Sequence, residues 1–151
     1  MMQFVIDSGK VRGEVIRESS VFASRMSMLA GSAEGAAPSH IFDRLRATET
    51  DRPSLDSYIG DALGMWSAMW PSELTGVVSL EDGYSVTMRG GVRHDECLDG
   101  GMAEDLKRFV VASVMRDWLR SAGAGEASAR WAEKMGEAAS AFRRKLWYRK
   151  P

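Results

Sequence analysis

The sequence is short of nearly everything that announces a chemistry. It holds one cysteine, two histidines and four prolines. The lone Cys97 excludes an intramolecular disulfide, and structural zinc sites usually need two or more thiolates. Apolar runs such as Phe109 to Ala112 stop after a few residues, far below the roughly 20 needed to cross a bilayer. The opening MMQFVIDSGKVRGE has no basic region followed by an apolar stretch of about 7 residues, so no secretory signal is expected and the chain reads as cytoplasmic or assembly-resident. A basic excess is missing too: the isoelectric point is near 6.1, whereas nucleic-acid-binding domains typically exceed about 9. Gly90, Gly91, Gly100 and Gly101 match neither a dinucleotide fingerprint nor a P-loop.

What is present suits one soluble domain spanning 1–151. With 44% hydrophobic and 27% charged residues, a chain of this length buries about two-thirds of its unfolded surface. Charge is unevenly placed. Residues 130–151 carry seven basic and two acidic side chains, a net of +5, while the remainder carries a net of −6. The C-terminus is the positive pole of an otherwise acidic protein.

Hydrophobic spacing supplies the elements. MQFVID, ended by Ser8-Gly9, reads as a short edge strand. Val11, Val15, Ser19, Phe22, Met26 and Leu29 then share a helical face over about 10–29, with Arg12, Arg17 and Glu18 outside. The rival reading makes VIRESSVF a strand, because Val15 and Ile16 are β-branched. GSAEGAAPSH, 31–40, reads as a flexible connection that leaves His40 in a surface loop. Ile41, Phe42 and Leu45 suit one helical turn. Asp51 as N-cap and Pro53 in the first turn open an amphipathic helix whose inner face is Leu55, Tyr58, Ile59, Ala62, Leu63, Trp66, Met69 and Trp70.

TGVVSL and YSVTMR around an Asp82-Gly83 turn predict a β-hairpin at 75–89, for which MQFVID is the natural third strand. A second long helix is expected over about 96–121, apolar on more than one side and hence central. Glycines in SAGAGEAS close it, and a last helix over about 126–147 points Ala127, Trp131, Met135, Ala138, Phe142 and Leu146 inward. The expected fold is mainly α within the α+β class: about four helices with the hairpin inserted between the second and third long ones.

Candidate chemistry is sparse. His94, Asp95, Glu96 and Cys97 bring every metal-ligand type together, but neighbours in sequence rarely converge on one ion, and an acidic helix start explains Asp95 and Glu96 better. His94 with Cys97 lacks a third orienting group or an oxyanion element, so a hydrolase centred there ranks third. Asp56 and Asp61, five apart, fit a solvated face rather than a carboxylate dyad. No catalytic residue, metal or cofactor is expected.

AFRRKLWYRKP, 141–151, is the richest stretch. Arg143, Arg144 and Lys145 oppose the negative end of a helix dipole, worth about 0.3–1 kcal/mol each. Trp66, Trp70, Trp118 and Trp131 fall on inner faces; Trp147 stands at the edge of the apolar stripe beside Tyr148. Arg143, Arg144, Lys145, Trp147, Tyr148, Arg149 and Lys150 are therefore the candidate partner-binding residues, with 147–151 as a basic aromatic tail. Docking on an acidic protein surface, including another copy of the chain, ranks above nucleic-acid binding by the same tail.

The order of parts also resembles something known. VRGEVIRESSVFASRM, IFDRL, ATETDRPSLDSYIGDA, YSVTM, DLKRFVVASVMRDWL and the closing AAS-AFRRKLWYRKP together are similar to a group of small, uncharacterised phage and prophage proteins of the virion morphogenesis region. The helical layout is similar to head-tail connector or head-completion adaptors, although the best-known of these are all helical and have no hairpin. The resemblance implies a non-enzymatic structural or assembly protein, in the host cytoplasm or the virion, that acts through contacts in a homo-oligomer or with other virion proteins. It transfers no site residue.

Overall fold

The computed structural model describes residues 1–31, 40–149 and 151. Lys150 and most of the connection expected at 31–40 lie outside the described residues. The elements are β1 (Met2–Asp7), α1 (Ser8–Gly31), α2 (His40–Asp43), α3 (Arg52–Met69), β2 (Leu74–Leu80), β3 (Gly83–Met88), α4 (Asp99–Ser121) and α5 (Gly125–Leu146). The fold is mainly α with a small sheet, as expected, and the hairpin β2–β3 stands between the second and third long helices.

Alternation shapes β1: Met2, Phe4 and Ile6 are buried and Gln3, Val5 and Asp7 are exposed. β1 is indeed the third strand, pairing antiparallel with β3 in the order β1-β3-β2. A bulge at Thr75 bends β2, and its hydroxyl donates to the Thr87 carbonyl at 2.7 Å. The hairpin loop is Glu81-Asp82, and Gly83 is already in β3, paired with Leu80. Its glycine answers a different need from a turn. A Cβ at 83 would overlap the Ile6 carbonyl oxygen, so only glycine lets β1 come this close.

α1 begins at Ser8, two residues earlier than the spacing suggests, because the Asp7 carboxylate accepts the Lys10 N–H at 3.1 Å and the Ser8 N–H reaches the Asp82 carbonyl. Val11, Val15 and Ser19 are buried, but Leu29 is exposed where an inward position was expected. Met28 beside it is exposed as well. Buried Ser19 is satisfied on both sides: its hydroxyl donates to the Ile16 carbonyl and accepts the Ala47 N–H.

Asp51 does not cap α3 with its side chain. Its carboxylate instead takes the Thr48 N–H at 2.8 Å, closing the 3-10 turn that precedes the helix. α4 is the central helix, packed on α1, α3, α5 and β1. It ends in a Schellman arrangement: Gly123 has φ +84°, its N–H reaches Arg120, and the Ala124 N–H reaches Leu119. The chain then reverses, and α5 returns antiparallel along α4, as contacts from Ser128 to Arg116 and from Lys145 to Asp105 show.

Four elements meet in an aromatic core. Phe142 of α5 stands edge-on to Trp66 of α3, ring centres 4.6 Å apart, and to Phe4 of β1 at 5.9 Å. Trp66 also meets Phe109 of α4 at 5.0 Å. Such pairs add about 0.5–1.5 kcal/mol each beyond their area burial. This core positions the C-terminal end of α5 against the open end of the hairpin.

Candidate functional site

The last turn of α5 is held from within. Leu146 is buried, and Lys145 reaches across to the α4 carboxylate of Asp105 at 2.6 Å. Asp105 is 3% exposed at its side chain, so this contact neutralises a charge that burial would otherwise penalise heavily. Gly101 makes the reach feasible, since a Cβ there would lie 3.1 Å from the Lys145 Cε. Lys145, expected as a partner contact, is thus occupied inside the molecule. The helix closes with the Trp147 N–H on the Arg143 carbonyl and the Tyr148 N–H on the Lys145 carbonyl.

Beyond that anchor the chain is exposed. Trp147 is 61% exposed and Tyr148 48%. The Arg143 guanidinium lies 5.3 Å from the centre of buried Trp70 and 5.6 Å from that of Trp147, bridging the aromatic core to the surface. Trp66 and Trp70 are fully buried as expected; Trp118 is half-buried and donates to the Leu45 carbonyl at 2.9 Å. Trp131 is half-buried with the Lys134 ammonium 3.9 Å over its ring.

Opposite the tail lies the segment that follows β3. The Arg89 N–H donates to the Glu73 carbonyl at 2.7 Å, which pins the start of this loop to the base of β2. Gly90 then crosses so closely over His94 that a Cβ would meet the ring at 2.9 Å. His94 is 8% exposed at its side chain and bonds Asp99 through Nε2 at 2.5 Å. Its Nδ1 is buried and has no hydrogen-bond partner. An unsatisfied buried nitrogen costs about 1–3 kcal/mol, which makes this ring a notable feature of a surface loop. His94 turns to Asp99 rather than pairing with Cys97; that thiol is exposed, and its N–H is taken by Asp95 at 3.0 Å. Asp95 caps the 3-10 turn Glu96–Leu98, and Asp99 stands in the first turn of α4. Among the described residues no group of three His, Cys, Asp or Glu side chains is placed to hold a metal ion.

Between tail and loop opens a cleft of about 730 Å³. Arg89, Arg93 and His94 line one side, Trp147, Tyr148 and Arg149 the other, and Glu73 is its carboxylate. Arg89, Arg93 and Arg149 form no ion pair among the described residues. Arg144 faces elsewhere, into a groove of mixed charge between α1, α4 and α5, where Glu14, Glu18, Glu104 and Glu137 stand with Arg17, Arg108 and Lys134. The seven residues singled out in the sequence therefore separate. Trp147, Tyr148 and Arg149 line the cleft, Arg143 stacks between Trp70 and Trp147 without lining it, Arg144 and Lys145 do not join them, and Lys150 is not described. Arg89, Arg93 and His94 were missed as partners of the tail. The available signal was Arg89 and Arg93 on either side of Gly90-Gly91-Val92, two cations in a loop between strand and helix.

Elsewhere, Arg12 was expected outside and is buried. Its guanidinium bonds Asp56 of α3 at 2.6 Å and Asp82 of the hairpin loop at 2.9 and 3.0 Å. These bonds, chiefly the one to Asp82, hold Arg12 protonated more firmly than a free arginine. The Asp82 carboxyl is held below the usual 3.8 chiefly by the Arg12 hydrogen bond, which outweighs desolvation, with smaller help from the charges of Arg12 and Arg52.

No helix among the described residues is long and apolar enough to cross a membrane. No family model, curated protein or solved structure matches the chain.

Proposed function

We propose that this protein is a non-enzymatic structural or assembly protein of the phage virion kind, working by protein contacts in the host cytoplasm or the virion. The cleft beside the end of α5 is its docking site. One observation carries the reading: arginines without carboxylate partners, drawn from two separate segments, surround a cleft walled by an exposed Trp and Tyr. Tyr, Trp and Arg are the residues that dominate binding energy at protein interfaces. The acidic remainder of the chain offers a complementary surface for other copies.

Light scattering on the intact chain, alone and mixed with virion proteins encoded beside it, tests this. The expected result is a mass above one chain or a stoichiometric complex, with the Trp147→Ala/Tyr148→Ala variant associating at least about tenfold more weakly. A strict monomer that ignores every virion neighbour would sink the reading.

Nucleic-acid binding by the same cleft is the second reading, favoured by the arrival of Arg89 and Arg93 beside exposed Trp147. A salt titration separates the two, because phosphate contacts make affinity fall steeply and linearly on a log–log plot.

A further inference from the structure

We infer that the cleft between the end of α5 and the 89–94 loop takes a short acidic peptide segment of a partner protein, with a carboxylate among the arginines and an apolar side chain against Trp147. The inference rests on the docking role proposed above and names the chemistry of what docks. Two features of the cleft select that chemistry.

The first is the number and direction of the cations. Arg89, Arg93 and Arg149 line the cleft, while Lys145 is taken by Asp105 and Arg144 lies in a separate groove of mixed charge, where Arg17, Arg108 and Lys134 also face carboxylates. The cleft's own positive charge is thus a cluster of three arginines with one carboxylate, Glu73. A polynucleotide repeats its phosphates along its whole length and would run out of the cluster onto a chain whose first 129 residues are net −6. A segment with one or two carboxylates ends where the cations end. Arginine forks suit a carboxylate, which they bind through two parallel N–H bonds.

The second is size: about 730 Å³ lies within the range of roughly 300–1,000 Å³ for clefts that enclose a small ligand. A few residues enter such a space, whereas a flat protein face does not.

The test pans a library of acetylated, amidated hexapeptides against the intact chain and titrates the best binder. Recovered peptides should be enriched in Asp or Glu next to Leu, Phe or Trp. Arg93→Ala and Arg149→Ala should each weaken the best peptide about tenfold, the loss of one charge-assisted contact. Arg144→Ala, in the separate groove, should change it less than about twofold.

Peptides without acidic enrichment, or equal sensitivity to Arg144→Ala, would overturn the inference. So would a thymidine 12-mer that binds more tightly than the best peptide with a steep salt slope. If the chain still associates through Trp147 in light scattering while no acidic peptide binds, the acidic-segment assignment falls and the docking role stands. Loss of both removes the docking role itself.

Discussion

The two ends of the hairpin use arginine in opposite ways. At the loop end, Arg12 is buried and bonds both Asp56 and Asp82, with Arg52 3.6 Å from each carboxylate. At the open end, Arg89 and Arg93 meet Arg149 of the tail around a cleft whose carboxylate is Glu73. The first cluster is matched in charge and ties α1, α3 and the sheet together. The second is unmatched, and like charges gathered without partners weaken a fold slightly rather than strengthen it. An arginine that holds structure comes with its carboxylates, and one left over at a cleft is available to a ligand.

The contrast can be broken at several points. The largest effect is expected from Gly83→Ala at the loop end, where the added Cβ overlaps the Ile6 carbonyl and must push β1 off β3. Chemical denaturation should show a loss of about 3 kcal/mol; a loss below about 1 would mean that β1 can shift freely. Next comes Arg12→Ala. Since Asp56 and Asp82 are themselves 42% and 45% exposed, they regain water when the arginine goes. The expected loss is about 2 kcal/mol, less than the roughly 3–5 for a fully buried pair.

Acid sharpens the same point. Asp82 titrates lower in the folded chain than in the unfolded one, so its stabilising effect is complete above the ordinary carboxylate value of 3.8 and is lost as pH falls through the depressed folded value. The stability difference between the native chain and Arg12→Ala should therefore narrow below about pH 4. A constant difference down to about pH 2 would show that Asp82 gains nothing from Arg12. The smallest effect belongs to the open end: Arg93→Ala and Arg149→Ala should leave stability within about 0.5 kcal/mol. A larger loss by denaturation would make these arginines structural and end the contrast.

Periodicity made the elements legible. The 3-and-4 spacing from Leu55 to Trp70, the short β-leaning run MQFVID and the Asp82-Gly83 signal correspond in turn to α3, β1 and the hairpin. The two-sided apolar pattern from Met102 to Leu119 marked α4 as the central helix. Spacing was less informative where a residue's partner is remote. Arg12 and Asp82 are 70 positions apart, and nothing local marks one as the other's counter-charge. His94 looked toward Cys97 in the sequence, yet the 3-10 turn carries Cys97 outward and brings Asp99 to the ring.

The candidate site divides the same way. By itself the sequence determined that the chain ends in a basic aromatic stretch, that Phe142 and Leu146 belong to a helix face, and that the rest of the protein is acidic; composition and period are local properties. Only the tertiary structure decided which of those cations are available. Packing α5 against α4 consumed Lys145 on Asp105, sent Arg144 to another face, and brought Trp147 and Arg149 opposite Arg89, Arg93 and His94. The physical reason is that a buried carboxylate must find its cation wherever the chain supplies one, and the cations left over collect where no carboxylate was buried.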